Sequence, residues 1–183
     1  MRLAILLSVV AATGCVAGGG SNDSHGDHVV SAGVEAPELP AWQTDEPWTI
    51  VIRVASDHSW DTAIVSALKQ WQIVSSGEFA PGGYRFADAC AGPCIIVLPS
   101  VPECGRYSDV MGCTDRETLR VRLSDSEVHS YQERINVALH ELGHVVGLEH
   151  VDGDDLMSLS MDVARTCISD AVAERAGFDG GTC

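Results

Sequence analysis

Three histidines and two glutamates fall within eleven consecutive residues, "HELGHVVGLEH", from His140 to His150. On a helix, residues four apart share one face and lie about 6 Å apart along the axis. His140 and His144 therefore point the same way and can grip one ion. Glu141 sits about 100° around from His140, beside the pair rather than behind it. Gly147 suits a helix end in the left-handed conformation, which glycine adopts without steric cost. The chain can then reverse and bring His150 to the same ion from outside the helix. Three imidazoles with one open position make the pattern of catalytic zinc, since structural zinc is closed by a fourth protein ligand. Zinc lowers the pKa of a bound water to about 7 and polarises a carbonyl as a Lewis acid. Glu141 is placed to take that water's proton and hand it to a leaving amine. The bland alternative, surface histidines beside a solvated glutamate, requires this spacing to arise by chance, on the order of one chain in 10⁴ to 10⁵.

At these residues the chain resembles the metzincin family of zinc peptidases, whose H-E-x-x-H-x-x-G-x-x-H motif precedes a methionine turn. The resemblance implies His140, His144 and His150 as Zn2+ ligands and Glu141 as the general base of peptide-bond hydrolysis. It implies Met157, seven residues after His150, as the turn methionine, with Met161 as the second choice. It further implies an α/β (α+β), zincin-like fold: a twisted mixed sheet, two long helices above the zinc cleft, and a small C-terminal subdomain with a short helix. A peptide or protein substrate would lie extended along the sheet edge. Val151 stands where matrixins carry Ser, adamalysins Asp and astacins Glu, so the likeness stops at the family and names no branch. A competing expectation is a catalytically silent, zinc-bearing binding lipoprotein.

The elements that must position these residues are legible in the flanking pattern. "WTIVIRVA", 48–55, alternates as a strand does. Ser59 can cap a helix with Ile64, Leu68, Trp71 and Val74 on one stripe, ending near Gly77. Further strands are expected at "YRFAD", 84–88, at "CIIVLP", 94–99, and at "LRVRL", 119–123, with an irregular loop over 99–118. Ser130 and Glu133 form a capping box that opens a helix running through the histidines to Gly147. Ile135, Leu139, Leu142 and Val146 make an apolar stripe opposite the histidines, so one face should enter the core and the other line a cleft. A last short helix is expected across 168–176.

The chain's beginning, "MRLAILLSVVAATGC", reads as a signal peptide over residues 1–14 with an apolar core too short to span a bilayer. It resembles a bacterial lipoprotein signal, in which Cys15 is lipidated. The alternative is ordinary cleavage near Ala17 and release of a soluble secreted protein. Residues 15–46 read as a flexible tether rich in Gly, Ser, Asp and Pro, and 47–183 as the catalytic domain. Of seven cysteines, six remain once Cys15 is set aside, an even count that suggests disulfides in an exported chain. Their clustering favours Cys90–Cys94, Cys104–Cys113 and Cys167–Cys183.

With 26 acidic against 11 basic residues, the formal charge is −15. That argues against nucleic-acid binding by phosphate neutralisation and against attraction to anionic headgroups. Membrane attachment is expected only through an N-terminal lipid, at the bacterial envelope, and the chain is expected to be monomeric. Asp152, Asp154 and Asp155 crowd the loop after His150. They read as a solvated acidic loop, with a structural Ca2+ site as the alternative.

Overall fold

Tryptophan 48 begins a strand, β1 (Trp48–Ile52), whose β-branched residues suit a pleated and buried surface. The computed structural model describes residues 40, 42–54, 59–100, 110–159 and 165–183, and they belong to a compact unit that runs from Pro37 to Cys183. After β1 come α1 (Ser59–Val74), β2 (Tyr84–Phe86), β3 (Cys94–Leu98), β4 (Gly112–Asp115), β5 (Arg120–Ser124), α2 (Tyr131–Val145) and α3 (Asp170–Arg175). The five strands form one mixed sheet in the order β2-β1-β3-β5-β4. Four run parallel, and β4 pairs antiparallel with β5 at one edge.

Register turns the sequence pattern into a core. Ile50 pairs with Ile95 and Ile95 with Val121, while Ile52 pairs with Val97 and Val97 with Leu123. These residues form two apolar rows on one face, because side chains alternate along each strand. Ile64, Leu68, Trp71 and Val74 of α1 and Ile135, Leu139 and Leu142 of α2 share the hydrophobic cluster with them. The stripe expected on α1 is the buried one. The indole of Trp71 also donates to the Leu139 carbonyl at 3.1 Å, tying the two long helices together where α2 carries its first histidine.

Several expectations need correction. The stretch 99–118 is not wholly irregular, because β4 lies within it. "GCTD" has no apolar alternation and two turn-forming residues; its conformation comes from pairing with β5, a tertiary effect that local propensity does not register. Within the stretch read as a tether, Trp42 is half-buried, with its ring 6.1 Å from Phe79 and 5.7 Å from Phe178. The helix over the histidines stops at Val145, with Val146 as its C-cap and Gly147 immediately after. The Cys90–Cys94 and Cys167–Cys183 disulfides are formed. Cys113 is disulfide-bonded too; its expected partner, Cys104, lies outside the described residues. Among the described residues no helix is long and apolar enough to cross a membrane.

Candidate metal centre

Helix α2 starts where the capping box places it. Ser130 Oγ accepts from the Glu133 amide at 3.1 Å, and Glu133 Oε2 accepts from the Ser130 and His129 amides, each at 2.8 Å. These bonds hold the Glu133 carboxyl below its ordinary pKa. At the other end the Leu148 amide donates to the Gly143 carbonyl and the Gly147 amide to the His144 carbonyl, at 3.0 and 3.1 Å. This is a Schellman stop, and Gly147 supplies its left-handed residue with φ +99°. The chain turns there, and His150 comes back towards the helix.

The three rings converge. His140 Nε2 and His144 Nε2 each lie 3.1 Å from His150 Nε2. The Nδ1 atoms of the two helical histidines face the other way: that of His140 meets the Leu156 carbonyl and that of His144 the Leu148 carbonyl, both at 2.8 Å. A carbonyl can only accept, so both Nδ1 atoms carry the hydrogen and both Nε2 atoms present lone pairs to the centre. Burial pushes the His140 imidazole down to about 4 and lowers His144 as well. Neutral imidazole, the form that ligates a metal, is therefore the resting form of both. A proton on His150 could satisfy one of these contacts at a time, whereas one cation satisfies three lone pairs together. Among the described residues this is the cluster of ligating side chains placed to hold an ion, with its ligand atoms all within 4.8 Å of one another. Its donor chemistry, three imidazole nitrogens each on its own ring, fits a divalent transition metal.

Glu141 was expected beside the pair on a cleft-lining face. Instead it is only 3% exposed, because β4 covers that side of α2. Thr114 Oγ1 lies 2.7 Å from Glu141 Oε2 and 2.8 Å from the Glu141 carbonyl oxygen. A Cβ on Gly112 would stand 2.8 Å from Glu141 Cγ, so only glycine leaves room for this side chain. Burial raises the Glu141 carboxyl to about 7, with the Thr114 hydroxyl pulling the other way.

Met157 is fully buried. It sits in a turn closed by the Asp155 carboxylate, whose Oδ1 accepts from the Met157 amide at 2.8 Å, and by the Val151 amide, which donates to the Met157 carbonyl at 3.0 Å. The acidic loop is not simply solvated. Asp155 is gripped by both terminal nitrogens of Arg175, at 2.7 and 3.0 Å, and Asp154 is paired with Arg165. Two of the three loop carboxylates, Asp154 and Asp155, thus face guanidinium groups.

The structure thus brings His140, His144 and His150 together, with Glu141 next to them in sequence and Met157 packed beneath Gly143. Cys15 and Met161 lie outside the described residues. Sequence reasoning missed Gly112, Thr114 and the carbonyls of Leu148 and Leu156, none of which carries a local signal. The chain matches no model of a known protein family, and no curated protein matches it significantly.

Proposed function

We propose that this centre is the active site of a zinc-dependent endopeptidase of the metzincin type, exported and held at the bacterial envelope by lipid on Cys15. The observation that carries the reading is the convergence of three imidazole Nε2 atoms, two of them fixed in the ligating tautomer, within a motif that also supplies Glu141. Zinc bound there would supply Lewis acidity towards a carbonyl and bring the pKa of water to about 7. Glu141 then does the proton work. Its Oε2 is engaged by Thr114, so Oε1 takes the proton from the attacking water and returns it to the departing amine. A carboxyl near 7 is well matched to both halves of that task. β4 is an end strand of the sheet, the position at which an extended peptide would add as a further strand. The disulfides agree with an oxidising compartment.

One observation favours a second reading, a zinc-bearing binding protein without turnover: the covering of Glu141 beneath β4. Mass-spectrometric cleavage of a diverse peptide library separates the two. Under the peptidase reading, the disulfide-bonded chain loaded with zinc cuts peptides, and Glu141→Ala cuts about 10²- to 10⁴-fold more slowly while still holding the metal. No cuts from a zinc-loaded chain, or cuts undiminished in the variant, would sink the peptidase reading.

A further inference from the structure

Arg116 follows β4 in the turn to β5, where the Asp115 carboxylate accepts the amides of Glu117 and Thr118 at 3.1 and 3.2 Å and so fixes the turn. From there its guanidinium reaches the segment between the helix stop and the third histidine. Nη2 donates to the Leu148 carbonyl and Nη1 to the Glu149 carboxylate, each at 2.6 Å. The Leu148 carbonyl is the same oxygen that accepts from His144 Nδ1. A carbonyl has two lone pairs and can serve both donors. Glu149 immediately precedes His150.

A cation beside a metal site is, on charge alone, unfavourable for metal binding. It is also a poor folding device, since Arg116 and Glu149 side chains are 39% and 78% exposed and exposed ion pairs contribute little to stability. The fork geometry of arginine gives the arrangement another use, because two fixed donors can hold two acceptors in register. We propose that Arg116 is a positioning residue for the metal centre: it fastens residues 148 and 149 so that His150 stays opposite the helical pair, and it holds the carbonyl that sets the His144 tautomer. Glu149 both completes the clasp and neutralises the guanidinium next to the site. This inference rests on the reading that the three histidines hold a metal. Partners of this kind around a ligand typically change metal affinity about 10- to 100-fold.

The two influences of Arg116 have opposite signs, which makes the test decisive. Zinc affinity would be measured on the full, disulfide-bonded chain by competition with a chromophoric chelator, alongside the cobalt absorption spectrum and the melting temperature of the metal-free chain. Arg116→Gln is expected to bind zinc about tenfold more weakly, to alter the cobalt spectrum and to leave the metal-free melting temperature nearly unchanged. Arg116→Lys keeps the charge but not the fork and should resemble Arg116→Gln. Glu149→Gln, which retains the bond to Leu148, should show a smaller loss. Zinc binding by Arg116→Gln as tight as the parent's, or tighter, would overturn the proposal, as would a weakening matched by an equal fall in metal-free stability. Full recovery by Arg116→Lys would overturn it as well, leaving charge as the cause. If the parent chain binds neither zinc nor cobalt, the failure belongs to the metal reading itself.

Discussion

Thr114 on β4 and Glu141 on α2 meet through one hydroxyl: Thr114 Oγ1 lies 2.7 Å from the carboxylate Oε2 and 2.8 Å from the carbonyl oxygen of the same residue. The hydroxyl has one hydrogen, so it donates to one of these oxygens at a time. Donated to Oε2, it ties the side chain to the rim strand and leaves Oε1 uncommitted; donated to the carbonyl, it ties the helix backbone instead. Thr114→Val keeps the shape and removes the hydrogen bond. Under the peptidase reading it should lower kcat for peptide cleavage about tenfold with little change in KM, because the lost interaction would orient the base rather than the substrate. Thr114→Ser, which restores the hydroxyl, should recover most of the rate. Equal losses in both variants would point to packing instead.

Gly143 lies inside the motif for a reason of space. A Cβ there would stand 2.5 Å from Met157 Sδ and 3.1 Å from its methyl. Met157 is fully buried and cannot withdraw without disturbing the turn that carries the Leu156 carbonyl. Gly143→Ala should therefore destabilise the chain by about 1–3 kcal/mol, the usual range for overpacking, despite alanine's higher helix propensity. Denaturant unfolding measures the difference. A stability gain of the size propensity alone gives would show that the methionine yields without cost.

The frame and the histidine cluster were legible in the sequence, and their immediate surroundings were not. Val51 and its neighbours in β1, the stripe on α1, the capping box at Ser130 and the glycine stop at Gly147 all rest on local periodicity or local chemistry, which one segment carries alone. The histidine spacing is of the same kind. β4 failed to register because its four residues become a strand only when β5 lies alongside. The burial of Glu141 followed from that same strand, so one omission produced both errors. Backbone carbonyls such as those of Leu148 and Leu156 have no residue type to announce them. The ion pairs of the acid-rich loop went unread for a related reason: its arginine partners, Arg165 and Arg175, lie more than ten residues downstream.

Asp155 gives a pH dependence with a definite sign. The hydrogen bonds from Arg175 hold its carboxyl below the ordinary 3.8, with help from the Met157 amide and against the opposing effect of burial. A carboxyl depressed on folding adds stability that is complete above its unfolded pKa and is lost as pH falls through the folded one. The contribution should thus be steady from neutral pH down to about 4 and disappear below that. Asp155→Asn should cost about 1–2 kcal/mol at pH 7, and the gap from the parent should close as the pH drops towards 2. Chemical unfolding at a series of pH values checks it. A gap that persists in strong acid would assign the loss to the Met157 amide bond rather than to the ion pair.

The Cys167–Cys183 disulfide closes the last loop of the chain over a separation of 16 residues. Loop-closure entropy assigns such a link about 3 kcal/mol. Its ends are also joined by hydrogen bonds: Ile168 donates to Thr182 Oγ1 at 2.9 Å, Thr182 donates back to the Ile168 carbonyl at 2.6 Å, and the Thr182 hydroxyl reaches Gln70 on α1 at 2.6 Å. Part of the closure therefore survives without the sulfurs, and replacing both cysteines by serine should cost less than the full entropic figure, about 2 kcal/mol. The loop contains α3, whose Arg175 grips Asp155 beside the methionine turn. Under the zinc reading, loosening it should reach the centre: the double variant should bind zinc more weakly and lose metal faster to a chelator, whereas removing Cys90–Cys94, at the start of β3, should lower stability alone. Calorimetry and zinc-release kinetics on the two double variants would separate these effects. Equal release rates would show that α3 holds its place without the disulfide.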